Sequence, residues 1–185
     1  MIFHRFRLPI DCLDTLVIWG LTGLVIFSLA LQFSTHELPC PLCLLQRMGS
    51  LVMALSLALT LQFGHRTRHY GLTLIASIFT GIVASRQTLL HIIPGTDTYG
   101  DPFLGLSLYV WMVIVCLLVV SYITAMLVIG ANNEKRLQPA KFAKITTLLV
   151  LAVIFIATAM VFFECGLQGC PENPTQYHMH PLRIY

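Results

Sequence analysis

Charged residues thin out in five long stretches of this chain, leaving only Arg47 in the second and Arg86 in the third, and the apolar runs do not alternate in polarity. They cover 15–35, 44–64, 71–93, 104–130 and 145–163. Each holds about 20 residues, enough at about 1.5 Å per residue to cross a hydrocarbon core of about 30 Å. Barrel strands alternate in polarity, so strands are disfavoured. Backbone groups inside lipid must satisfy one another, so the expected fold is all-α, a polytopic membrane bundle of five helices in one domain. The first run is longer than the core of a cleaved leader. Ser28-Leu29-Ala30 is a weak small-x-small site among large apolar residues, so the first helix is expected to stay.

Composition sharpens that picture. Of 185 residues, 57% are hydrophobic and only 10% charged. A water-facing surface needs more charge than that, which excludes a soluble enzyme, and the apolar content excludes a disordered chain. The formal charge of +3 matters through its placement. Arg5 and Arg7 precede the first run, Arg66 and Arg68 separate the second and third, and Lys135, Arg136, Lys141 and Lys144 separate the fourth and fifth. An alternating chain puts all of these on one side, which the distribution of basic residues assigns to the cytoplasm. The amino terminus is then expected inside, and the tail 164–185 outside. His4, His65 and His69 fall on the basic side and are expected to be solvated, while Tyr109 and Trp111 read as residues of the interfacial aromatic belt.

The cysteines carry the chemical signal. Cys12 and Cys116 lie in or at the edge of apolar runs and read as small space-filling residues. Cys40, Cys43, Cys165 and Cys170 all fall on the outer side, where disulfides persist, although the two pairs are more than a hundred residues apart. Cys40-Pro41-Leu42-Cys43 suits a reversible redox couple. A structural bridge would close too short a loop to constrain the unfolded chain much. Half of a zinc site is the remaining reading, completed by the tail pair or His36. Cys165-Gly-Leu-Gln-Gly-Cys170 permits a second disulfide, a simple staple of the tail, or metal binding with His178 and His180.

Position favours redox chemistry at the first pair. Pro39 and Pro41 suit a chain entering a helix that begins at about Cys43. A sulfur there meets unpaired N–H groups and the positive end of the helix dipole, and Arg47 follows one turn deeper on the same face. A negatively charged sulfur is the reactive form in exchange. Arg47 is either an interfacial anchor or a donor to an acceptor carbonyl oxygen. Arg86 stands inside the third run, and a charge there is a functional candidate or a snorkelling one. Gln87 and His91 are four apart and share a face; His91 could donate to a ligand oxygen or relay a proton.

Cys40-x-x-Cys43-x-x-x-Arg47 at the start of the second helix resembles the signature of the disulfide bond formation protein B (DsbB) family. Phe103-Leu104-Gly105-Leu106 followed by Trp111, and the cluster Arg86, Gln87 and His91, resemble it less specifically. The resemblance covers roughly residues 10 to 130. It implies a four-helix core in a bacterial inner membrane that carries electrons from a periplasmic, thioredoxin-like DsbA-type oxidase to a quinone, ubiquinone or menaquinone. It further implies that Cys43 faces the quinone, Arg47 contacts it, and Cys40 exchanges with a second cysteine pair. The family's second pair lies between helices 3 and 4, where this chain has no cysteine. A fifth helix and the Cys165–Cys170 pair follow instead, and that pair is expected to substitute. The reach this requires is met if the fifth helix packs near the second. The rival reading is a membrane scaffold or metal-handling protein with a Cys/His zinc or copper site on its outer face.

Overall fold

A computed structural model describes residues 7–35, 40–92, 103–129 and 140–165; the side chains of 7–9, 35, 140, 164 and 165 lie outside that description. The chain is all-helical there: α1 (Arg7–Thr35), α2 (Pro41–Phe63), α3 (Thr67–Leu90), α4 (Leu108–Val128) and α5 (Ala140–Cys165). All five are long and apolar enough to cross a membrane. The chain is a multi-pass membrane protein.

Boundaries moved where local chemistry outweighs hydropathy. α2 begins at Pro41 rather than near 44 because proline suits the first helical position, and Cys40 caps the end by accepting from the Cys43 N–H at 3.2 Å. α1 begins eight residues before Thr15, because Asp11 and Asp14 point into the bundle and find partners there. α4 begins four residues after Leu104. Phe103 and Leu106 exchange backbone hydrogen bonds of 2.9 and 3.1 Å across a tight turn whose central residues, Leu104 and Gly105, have φ of 51° and 80°. Both angles belong to a type I′ turn, which no helix can pass through.

α2 is the central helix. It packs on α1, α3 and α5, and α4 packs on α3. The α2–α3 seam is unusual for its small and polar residues: Thr80 and Gln87 of α3, both buried, meet Gly49 and Gln46 of α2. Lipid gives little hydrophobic drive for helix pairing, so close backbone approach and hydrogen bonds do the joining. At Gly49 the approach is so close that an added Cβ would lie 2.0 Å from Thr80 Oγ1. α5 rests on α1 and α2 through Val153 and Ala157, which pack with Val25, Leu29 and Leu51.

Candidate redox site

The start of α2 gathers the sulfur chemistry. Cys40 Sγ and Cys43 Sγ touch at 2.6 Å, with Cys40 buried and Cys43 half-buried. The Cys43 side chain against it, and then burial, push the Cys40 thiol well above the ordinary thiol range, so Cys40 is held protonated. Gln87 of α3 is fully buried, and its Nε2 donates to both sulfurs at 3.3 Å. Its Oε1 accepts from Gln46 Nε2 at 2.6 Å. His91 lies one turn further along α3, with Nδ1 2.8 Å from the Gln87 carbonyl oxygen and its ring 5.4 Å from that of Tyr109.

Arg47 occupies another flank of α2. Its Nε donates to Ser28 Oγ at 2.8 Å, a terminal nitrogen donates to Gln32 Oε1, and the other reaches the Ser28 carbonyl oxygen at 3.3 Å, all on α1. Beside it is a small, mainly apolar cavity lined by Leu29, Leu44, Met48, Ala157, Met160 and Val161, so α5 forms one wall. The guanidinium and the apolar walls suit an apolar ring bearing carbonyl oxygens. The cavity itself holds about 10 Å³, room for one water and not for a ring as it stands.

The expected site residues therefore divide. Cys40, Cys43 and Gln87 meet, with His91 adjoining. Arg47 is one turn from Cys43 but is engaged with α1. Arg86 is on a different face of α3: exposed, at a groove of about 670 Å³ between α3 and α4 that also involves Ile82, Leu89 and Leu117. The side chain of Cys165 and all of Cys170 lie outside the described residues, as does the tail. The backbone of Cys165 ends α5, four residues beyond Val161, or about 6 Å along the axis.

Several expectations need correction. His65 and His69 are buried, 5% and 6% exposed, rather than solvated. Tyr109 is buried against His91 rather than standing in an aromatic belt. Cys116 fills core space as expected, but Cys12 is exposed. The sequence reading missed Gln46, although it sits three residues after Cys43 and so on the same side of the helix. It also missed a buried polar cluster at the opposite end of the bundle. There Asp14 accepts from Tyr122 OH at 2.6 Å, Tyr70 OH at 3.0 Å and Thr60 Oγ1 at 3.2 Å. His65 Nε2 is 3.0 Å from Asp11 Oδ1 and 3.2 Å from Asp14 Oδ2. The signal was available: Asp11 and Asp14 are one turn apart at the edge of a membrane helix, where unpaired charge is costly.

Comparison with known proteins bears on the sulfur end. The family model for disulfide bond formation protein DsbB matches residues 12–99, a segment that includes Cys40, Cys43, Gln46, Arg47, Gln87 and His91. Over those residues the chain is similar to the DsbB family. A curated relative, disulfide bond formation protein B of Nitrosomonas eutropha, is 33% identical over 107 residues, a match spanning 52% of this chain and 65% of the relative's length. No solved structure matches. Both descriptions name disulfide bond formation. α5 and the tail lie beyond the matched segment.

Proposed function

We propose that this protein is a thiol–disulfide oxidoreductase of the bacterial inner membrane that reoxidises a periplasmic, thioredoxin-like DsbA-type oxidase and delivers the electrons to ubiquinone or menaquinone. The amino terminus would be cytoplasmic and the sulfur end periplasmic, as the basic residues suggest. The observation that carries the reading is the sulfur pair at the mouth of α2, touching each other, with a buried amide donor on one side and Arg47 with an apolar cavity one turn deeper.

The electron balance is simple. Two partner thiols become a disulfide and release two electrons and two protons. Thiol–disulfide exchange conveys these through the Cys165–Cys170 disulfide to the Cys40–Cys43 disulfide, each pair being reduced and then reoxidised. A bound quinone supplies the final sink for two electrons and two protons. Cys40 is the sulfur for exchange, Cys43 the sulfur facing the ring, and Arg47 the donor to a ring oxygen; His91 adjoins the sulfurs, Gln87 is committed to them, and Arg86, on another face of α3, takes no part. Since Cys40 is buried, exchange at its sulfur requires local opening at the start of α2. The tail pair's part is supported by α5, whose Met160 and Val161 border the same cavity as Arg47 one turn before Cys165.

The rival reading, a metal-binding scaffold, needs more ligands than two sulfurs. The further ligands it would draw on, His36, Cys170 and the side chain of Cys165, lie outside the described residues. The test is the full-length protein in vesicles containing quinone, supplied with a reduced thioredoxin-like dithiol protein under anaerobic conditions. Oxidation of the dithiol matched one for one by quinol formation is expected. Intact sulfurs with no such turnover, or stoichiometric zinc or copper released on Cys43→Ser, would overturn the proposal. Mixed disulfides joining Cys40 to Cys165 or Cys170, trapped in variants lacking one cysteine of each pair, are expected if the tail relays; if only within-pair bridges form, the partner attacks Cys40 directly.

A further inference from the structure

We infer that the Gln87 carboxamide is a catalytic residue of the sulfur pair, stabilising the reduced form by donating to sulfur, and that Gln46 is the positioning residue that turns its N–H side toward the sulfurs. The inference rests on the proposed dithiol-to-quinone reading and goes beyond it.

Gln87 has the geometry of a shared donor. One nitrogen is 3.3 Å from each of two touching sulfurs, on a side chain with no exposure to solvent. A buried amide whose N–H groups lack acceptors costs free energy, and these have only sulfur to face. Sulfur in a disulfide is a weak acceptor, and sulfur carrying charge is a strong one. Reduction of the pair by two electrons and one proton yields one thiol and one thiolate. Cys40 is the sulfur held as the thiol, so the amide meets the charge on its neighbour without having to move. When the same two electrons leave, the S–S bond re-forms and the proton is released. The donor therefore favours the reduced state, making the pair a readier electron acceptor from a dithiol.

An amide can face either way, and its orientation follows from the network around it. Gln46 supplies that network. Its Nε2 donates to Gln87 Oε1 at 2.6 Å, which commits the oxygen to α2 and leaves the nitrogen for the sulfurs. Gln46 is itself buried, and the α2–α3 contact at Gly49 and Thr80 keeps the two helices close enough for the amides to meet.

The test equilibrates the full-length protein in vesicles with glutathione buffers and reads the reduced fraction of Cys40–Cys43 by mass-tagging the thiols. The Cys165→Ser/Cys170→Ser background leaves one pair to count. Gln87→Leu keeps the bulk and removes the donor. The equilibrium constant for reduction is expected to fall about tenfold, close to 30 mV; in protein that keeps Cys165 and Cys170, Gln87→Leu is expected to lower kcat for quinone reduction while KM for the dithiol partner changes less than twofold. Gln46→Leu is expected to move the equilibrium about threefold in the same direction. The double variant should match Gln87→Leu alone, because Gln46 acts through Gln87. A reduction equilibrium unchanged within twofold in Gln87→Leu overturns the inference, and additive effects in the double variant overturn the part assigned to Gln46. Should Gln87→Leu fail to accumulate, Gln46→Leu carries the test with Gln87 in place. Wild-type protein that equilibrates normally with glutathione yet never reduces quinone would count against the proposed function and leave this inference standing on its own readout.

Discussion

The α2–α3 pair ends in polar clusters of opposite character. At one end are two sulfurs and two carboxamides; at the other are two carboxylates, an imidazole and two phenols. In the carboxylate cluster every oxygen of Asp14 has a donor, and the donors arrive from α2, α3 and α4 as well as from His65. Such a network holds one arrangement, because any change leaves a buried polar group unpaired. In the sulfur cluster a single nitrogen is shared between two sulfurs whose bonding can change. That arrangement tolerates two states of the same atoms. The first cluster reads as a clasp for four segments of chain, and the second as the place where chemistry happens.

Variants can be ranked by how hard they press on this contrast. Cys43→Ser should reduce dithiol-to-quinone turnover by more than about a thousandfold, equivalent to roughly 4 kcal/mol. Unfolding in mixed micelles should shift by less than about 1 kcal/mol, since serine fits the same space. A large loss of stability would mean that the sulfurs also clasp. Asp14→Ala should show the converse. Removing one member of a buried charge pair costs about 3–5 kcal/mol, and this variant also strands Tyr70, Tyr122 and Thr60. Turnover per folded molecule, measured after correcting for yield, should stay within twofold of wild type.

A smaller effect is expected from pH. His65 stands between α2 and α3. Burial alone would lower it, but the carboxylates of Asp11 and Asp14 outweigh burial and raise it to about 9. Its folded value exceeds the ordinary 6.5. Stability from the charged imidazole is therefore complete below about pH 6.5 and fades as pH rises through about 9. Unfolding midpoints between pH 6 and 10 should fall by the equivalent of about 3 kcal/mol, and His65→Gln should flatten the profile. A flat wild-type profile would remove the imidazolium from the clasp. Least in size is Gly49→Ala, which forces Thr80 aside and should cost about 1–2 kcal/mol. It also parts Gln46 from Gln87, so turnover should drop about threefold while the carboxylate end, followed by the pH profile of unfolding, stays unchanged.

Much of this was legible in the sequence because lipid restricts the options. Five long apolar runs are read as five helices, and the Cys40–Cys43–Arg47 spacing marks the start of α2. What escaped was which groups face each other across a seam. Gln87 was visible as a polar residue inside a helix, but its partners come from a helix forty residues earlier, and no local spacing points to them. Asp11 and Asp14 looked like the end of a hydrophobic run, because hydropathy treats a charge as a boundary whether or not it is buried and paired. His65 followed them into error, placed among arginines by sequence and among carboxylates by the fold. The turn at Leu104 was hidden for another reason: nothing in an apolar run announces a leucine at positive φ.

The most direct check of the central claim is a single-turnover count on the Cys165→Ser/Cys170→Ser protein. The Cys40–Cys43 pair is reduced, the reductant is removed, and quinone is added without oxygen while quinol and free thiols are measured together. One quinol formed for each pair oxidised is the result expected from the account. Reduced sulfurs that persist beside unreacted quinone would contradict it.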